Sequence, residues 1–259
     1  MQSEIPLLVF TDLDGTLLSH RDYRWNAAQP ALDRLAHMGA GVVLASSKTA
    51  PEITQLRQEM GLQDWPAIVE NGAGVLEANA KAAFCGSEYA QLRAKVTKIR
   101  ATTNARFRGF GDMDVAEVCD LTGLQSKDAQ LAKQRAFSEP GILSGTDEEK
   151  AEFIQKLKEK GVSAREGGRF LTLSFGKTKA DQMAQIISRF APRQTIALGD
   201  APNDAEMIEH ADYGVIIANP HRAPLPLLSG EKSGRIIRTT DVGPQGWNTA
   251  ILAHLAQLN

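Results

Sequence analysis

Two aspartates, Asp12 and Asp14, stand where the apolar run Leu7-Leu8-Val9-Phe10 gives way to Thr11-Asp12-Leu13-Asp14-Gly15-Thr16. Extended chain turns successive residues to opposite faces, so a spacing of two points both carboxylates to one side. At about 4 Å and an effective dielectric near 20 they repel by roughly 4 kcal/mol, so the pair needs a cation, a shared proton or a separated geometry. Mg2+ answers that need: it is a hard ion that prefers oxygen and commonly binds one or two carboxylates plus a phosphate. A second acidic loop, Gly199-Asp200-Ala201-Pro202-Asn203-Asp204, follows the apolar run Thr195-Ile196-Ala197-Leu198 and offers more oxygen ligands. The plain alternative for Asp12 is a turn or helix-capping aspartate. Two such loops after two such runs weaken it.

The elements that must carry these loops have a regular rhythm. Short apolar strands at 7–10, 42–45, 67–69, 195–198 and 214–218 alternate with amphipathic helices, among them one through Ala31, Leu32, Leu35 and Met38. Another opens at Pro51 and closes at Gly61, the asymmetry helix capping favours. Near-continuous apolar strands between helices predict an α/β fold with a doubly wound, mostly parallel sheet, whose ligands gather at the strands' carboxyl ends. Between about 85 and 175 the rhythm changes to helices near 88–101, 114–122, 126–137 and 147–160 with a weaker strand at Arg169–Ser174. This predicts an inserted α+β domain, giving a core of 1–84 and 176–259 and an insertion of 85–175, with hinges at Ala83–Gly86 and Ser174–Gly176. The segment 86–175 holds 15 Lys/Arg against 13 Asp/Glu and the remainder 14 against 18, a sign difference suited to an anionic ligand beneath the insertion.

Composition excludes several classes. With 42% apolar and 23% charged residues in 259, the chain is an ordinary globular one. Its net charge of −2 argues against nucleic-acid or membrane-surface binding. The apolar runs all fall far short of a membrane span, which needs roughly 18 residues. No basic stretch precedes Leu7, so a cytoplasmic protein is expected. Cys85 and Cys119 make no disulfide framework, and the five histidines have no metal-ligand spacing. No G-x-G-x-x-G follows the first strand and no G-x-x-x-x-G-K-[ST] occurs, which argues against dinucleotide and nucleoside triphosphate sites.

The pairing of Asp12-Leu13-Asp14-Gly15-Thr16 with Gly199-Asp200-Ala201-Pro202-Asn203-Asp204 resembles the haloacid dehalogenase superfamily of aspartate-nucleophile phosphohydrolases. That resemblance implies Asp12 as nucleophile, Asp14 as general acid and then base, and Mg2+ held by Asp12, the Asp14 carbonyl and Asp200, with Asp204 nearby, through water. It implies Ser46, after the second strand, as a hydrogen-bond donor to the transferring phosphoryl group; a helix-capping serine is the alternative. It also implies a lysine after the insertion. Lys179 fits better than Lys177, because Met183, Ile186 and Ile187 then share its helix face.

Glu70-Asn71-Gly72-Ala73-Gly74 before the insertion resembles the superfamily branch with the larger α/β cap. Ser46-Ser47-Lys48-Thr49, Leu121-Thr122-Gly123-Leu124, Arg135 with Ser138-Glu139-Pro140, Gly168-Arg169-Phe170 and Gly243-Pro244-Gln245-Gly246-Trp247 together resemble the mannosyl-3-phosphoglycerate phosphatase family. The reaction implied is removal of phosphate from a mannosyl- or glucosyl-3-phosphoglycerate, yielding a hexosylglycerate, a compatible solute. Such a small-molecule substrate carries a carboxylate, a phosphate and a polyol. Lys48, Arg135 and Arg169 suit the anions, and Glu70, Asn71, Asn203 and Glu139 suit the hydroxyls. Surface salt bridges or loop caps are the alternatives, and Phe170 and Trp247 read as packing residues. A broader hexose-phosphate phosphatase or a phosphomutase shares the core motifs. A regulatory phosphoacceptor is the reading from another class, and the 90-residue insertion counts against it. A monomer or homodimer is expected.

Overall fold

The computed structural model describes residues 5–80, 87–167 and 169–258. In chain order they form β1 (Leu8–Thr11), α1 (Gln29–His37), β2 (Gly41–Leu44), α2 (Ala50–Glu59), β3 (Ala67–Val69) and β4 (Gly74–Leu76). There follow α3 (Ser87–Arg100), β5 (Arg106–Gly109), α4 (Val115–Thr122), α5 (Ser126–Ala132), β6 (Glu139–Ser144), α6 (Asp147–Glu159), β7 (Ser163–Gly167) and β8 (Phe170–Ser174). The chain ends with α7 (Lys179–Phe190), β9 (Thr195–Gly199), α8 (Ala205–His210), β10 (Tyr213–Ala218), β11 (Ile236–Val242) and α9 (Gly243–Gln257). Two compact units result. Among the described residues one comprises 5–46, 62–79 and 178–258, and the other 47–61, 80, 87–167 and 169–177.

The first unit is built on a five-stranded sheet in the order β11-β10-β9-β1-β2, parallel throughout. β1, β2 and β9 are buried at every position, as strands covered on both faces must be. The period of two sorts their side chains. Leu8 and Phe10 join Met183 and Ile186 of α7 and Met207 and Ile208 of α8 in one apolar cluster. Thr11 turns the other way, toward Trp247 of α9. β3 and β4 form a short antiparallel pair, and Ile68 bridges to Ala45 just past β2. The expected α/β class is thus observed.

In the second unit, four antiparallel strands in the order β5-β6-β8-β7 pack on α3 and α6 through Leu92, Val96, Ile99, Phe153, Leu157, Phe107, Leu171 and Leu173. Phe110, Met113, Val118 and Ala129 form a smaller cluster, with Phe170 packed against it. The helix expected over 126–137 stops at Ala132. The chain then turns tightly, Arg135 N–H bonding Lys133 O at 2.8 Å, and β6 begins at Glu139. Of the two expected hinges, Ala83–Gly86 lies outside the described residues, as do Cys85 and Gly168. At the other, β8 ends at Ser174, whose Oγ accepts the Gly176 N–H at 3.2 Å, and Gly176 has φ +92°. Among the described residues no helix is long and apolar enough to cross a membrane.

Candidate active site

The exit of β1 is fixed from two sides. Asp12 N–H bonds Leu198 O of β9 at 2.9 Å, and the Thr11 hydroxyl donates to Asp12 O at 2.8 Å while accepting the Trp247 indole N–H at 3.0 Å. The chain then doubles back, with Leu18 N–H on Leu13 O at 2.8 Å and Gly15 N–H on Leu18 O at 2.9 Å. Gly15 is required there: its φ is +90°, and a Cβ would meet the His20 ring at 2.6 Å. The Asp14 residue is half-buried beyond this turn, and Asp12 is buried.

β9 delivers the second acidic loop. Asp204 is fully buried, and its Oδ2 accepts the N–H groups of Asp200 and Ala201 at 3.1 and 3.0 Å, closing the loop on itself. Asp200 is oriented by side chains from two other segments, Thr16 Oγ1 to its Oδ1 at 3.1 Å and Asn219 Nδ2 to its Oδ2 at 2.5 Å. Lys179 enters from the first turn of α7, 1% exposed, and donates to Asp12 Oδ1 at 2.6 Å and to Asp204 Oδ1 at 2.7 Å. A capping box of Thr178 with Asp181 sets that helix start.

One carboxylate oxygen from each of Asp12, Asp200 and Asp204 lies within 4.8 Å of the others. Three buried carboxylates thus lie together with a single buried ammonium, Lys179, which pairs with two of them, and the buried cluster is short of positive charge. Burial pushes the Asp12 carboxyl up to about 8, Lys179 pulling against this and Asp204 and Asp14 adding to it. Burial also opposes charge on Lys179, but Asp12 and Asp204 outweigh it and hold its pKa above the usual lysine value. The donor set, hard oxygens in excess of positive charge, fits a divalent cation such as Mg2+. Asp204 already accepts three hydrogen bonds, so Asp12 and Asp200 are the carboxylates better placed for direct contact.

Ser46 is buried at the end of β2, its N–H on Ile68 O and its C=O accepting from Asn71 N–H. Glu70, Asn71 and Gly72 follow with φ of +52°, +59° and +94°, three consecutive residues in the left-handed region. Such strain gathers at functional sites. Gly72 lies so close to α7 that a Cβ would stand 2.0 Å from the Thr178 carbonyl carbon, and Gln182 Nε2 donates to Gly72 O at 2.9 Å. Glu70 is buried, and Asn71 Oδ1 accepts from Asn203 Nδ2 at 3.0 Å, tying this loop to the acidic one.

The remaining expected residues belong to the second unit. Lys48 is half-buried just before α2. Arg135 is buried, donating to Ser47 O at 3.3 Å and Ser138 Oγ at 2.8 Å. Glu139 is fully buried; its oxygens accept the Gly111 N–H at 2.8 Å and the Tyr89 hydroxyl, and Arg93 stands at 3.5 Å. Arg169 is exposed and donates to Leu121 O. Phe170 packs edge-on against Phe110 at 5.2 Å. Thr16, Asn219 and Gln182 had no expected role. The signal for Asn219 was present, a polar residue immediately after an apolar strand at the sheet's carboxyl end; Gln182 carried none.

A central parallel sheet with convergent acidic loops, interrupted in sequence by a separate antiparallel unit, defines the class. The family model of haloacid dehalogenase-like hydrolases matches residues 9–103 and 125–224, and the chain belongs to that family. Solved structures share the fold. A sucrose-phosphatase from Synechocystis, crystallised with sucrose and phosphate, is 16% identical with a TM-score of 0.65, covering 97% of this chain and 98% of its own. A superfamily phosphatase from Bacteroides thetaiotaomicron is 17% identical with a TM-score of 0.66, covering 98% and 97%. A Thermoplasma acidophilum protein is 15% identical with a TM-score of 0.66, covering 97% and 99%.

Proposed function

We propose that this hydrolase is a Mg2+-dependent phosphatase that removes phosphate from a mannosyl- or glucosyl-3-phosphoglycerate through an aspartyl-phosphate on Asp12. The observation that carries the phosphatase reading is the buried Lys179, bridging Asp12 and Asp204 beside Asp200. Asp12, the Asp14 carbonyl and Asp200 would hold Mg2+, with Asp204 nearby through water, and the ion would supply the positive charge that keeps Asp12 ionised beside an anionic phosphate. An Asp12 oxygen forms a bond to phosphorus as the bond to the leaving alcohol breaks, and Asp14 gives that alcohol its proton. Water then attacks the phosphoryl group, Asp14 takes its proton, and Asp12 is released. Lys179 and Ser46 hold the phosphoryl oxygens in this scheme. Residues 85–175 act as the substrate-covering cap on a core of 1–84 and 176–259, with Lys48, Arg135 and Arg169 for the anions and Glu70, Asn71, Asn203 and Glu139 for the hydroxyls.

The sucrose-phosphatase among the structural relatives favours a second reading, a broader sugar-phosphate phosphatase with the same chemistry. One panel separates the two. Phosphate release is measured across glycosylated phosphoglycerates and plain hexose phosphates, with and without chelator, for the natural chain and Asp12→Asn. The specific reading expects release from the glycosylated phosphoglycerates well above that from hexose phosphates, and none in Asp12→Asn. Equal turnover of hexose phosphates overturns the specificity, and normal turnover by Asp12→Asn overturns the mechanism.

A further inference from the structure

Asp200 has one more partner than a metal ligand needs. Beyond Thr16 and Asn219, Arg222 places its Nε 3.4 Å from Asp200 Oδ2, with the guanidinium side chain 39% exposed and the Asp200 side chain 1% exposed. Thr16 and Asn219 are neutral, so they orient the carboxylate and leave its charge for a cation. Arg222 brings a full positive charge to the same oxygen, and a divalent ion next to it is repelled in proportion. The surroundings give the side chain another position to occupy. Asp200 and Arg222 together line a cavity of about 400 Å³ at the carboxyl ends of β10 and β11, with Asn219, Pro220 and Thr240 also on its wall. Arg238, the other cation there, is already engaged by Glu231 and by the carbonyls of Leu225 and Pro226.

We infer that Arg222 is a built-in competitor for the divalent cation: it neutralises Asp200 when no ion is there and swings into the adjoining cavity when an ion takes Asp200. This rests on the Mg2+ reading above. Its purpose is physical. A buried carboxylate cluster without a cation is costly, and a tethered guanidinium stabilises the ion-free protein while lowering the affinity for the ion.

Isothermal calorimetry with MgCl2 tests this on the full chain and on Arg222→Gln and Arg222→Lys, with thermal melting in chelator and in saturating MgCl2 as a readout independent of activity. Arg222→Gln is expected to bind Mg2+ about fivefold tighter than the natural chain, the worth of one partly exposed ion pair. Arg222→Lys, which keeps the charge, is expected within about twofold of the natural chain. Added Mg2+ is expected to raise the melting temperature of Arg222→Gln more than that of the natural chain. Equal or weaker binding by Arg222→Gln overturns the inference while leaving the Mg2+ reading intact, and equal tightening in both variants overturns it by tracing the effect to space rather than charge. A natural chain that binds no Mg2+ overturns both readings.

Discussion

Gly72→Ala adds one methyl group where the loop after β3 meets the first turn of α7. The new Cβ would stand 2.0 Å from the Thr178 carbonyl carbon and 2.3 Å from both Thr178 O and Lys179 N, all of them backbone atoms that cannot rotate away. Two costs add. The backbone there has φ +94°. A side chain in that region costs about 1 kcal/mol, and forcing a methyl into filled space costs about 1–3 kcal/mol more. Gly39→Ala is the matched control, because Gly39 lies in the same unit with φ +70° and nothing within 4 Å of a Cβ, so only the first cost applies. At roughly 2–4 °C per kcal/mol for a chain of this size, Gly72→Ala should melt about 4–16 °C lower and Gly39→Ala about 2–4 °C lower. Calorimetric melting of both proteins reads the difference. Relief of the clash moves the start of α7, and with it Lys179, so phosphate release should fall by about tenfold or more in Gly72→Ala alone. If the two variants melted together and both kept full turnover, the close approach of loop and helix would have no energetic meaning and the reasoning would fail.

Lys179→Met leaves the buried carboxylates of Asp12 and Asp204 unpaired. It should destabilise the chelator-treated protein by about 3–5 kcal/mol, partly restored by a divalent cation; equal denaturant midpoints in chelator would refute this. Trp247→Phe removes the indole donor to the buried Thr11 hydroxyl. The loss should cost about 1–2 kcal/mol, read by the same denaturation, and an unchanged midpoint would show that the bond adds nothing. In the second unit, burial works to raise Asp112, but hydrogen bonds from Arg93 and the Gly109 N–H and the charges of Arg93 and Arg100 hold it below the usual carboxylate range. A depressed carboxylate contributes stability that is present above its unfolded value and lost as pH falls through the folded one. With solvent screening of a partly exposed group taken into account, Asp112→Asn should be about 0.5–1 kcal/mol less stable at neutral pH, the deficit closing below about pH 4. A deficit that stays constant with pH would show that the charge plays no part.

Four of the five parallel strands, β1, β2, β9 and β10, were readable because they are mostly apolar runs, and the acidic loops were readable because they end such runs; β11 was not, because Arg238, Thr239, Thr240 and Asp241 interrupt it on an exposed sheet edge. α7 shows the same legibility on a helix: Lys179, Met183 and Ile186 recur at four and seven, and all are buried. α9 was not read as a helix although Trp247, Ala250, Ile251, His254 and Leu255 recur at helical intervals and are buried, because the Gly-Pro-Gln-Gly at its start looks like loop. β6 escaped notice because it contains Pro140, which cannot donate to a ladder. The structure accommodates it opposite Thr172 of β8, just beyond the register with β5 that begins at Gly141. The polar contacts of the site were the least legible. Asn219 to Asp200 spans 19 positions, Thr16 to Asp200 spans 184 and Gln182 to Gly72 spans 110, and no local periodicity records such pairings.

The central place of β1 in its sheet has a consequence for how the molecule comes off the ribosome. One edge of β1 pairs with β2 soon after it is made, but the other awaits β9, where Leu8 lies opposite Thr195. At roughly 5–20 residues per second, an apolar strand edge stays open for about 10–40 s while the intervening chain is synthesised. The antiparallel unit, whose strands pair mostly with near neighbours in the chain, is encoded within that interval and can reach its fold during the wait. The nascent chain therefore carries a half-built sheet tethered to a finished module, and recombinant yield should respond more to slow translation and chaperone supply before residue 195 than after it.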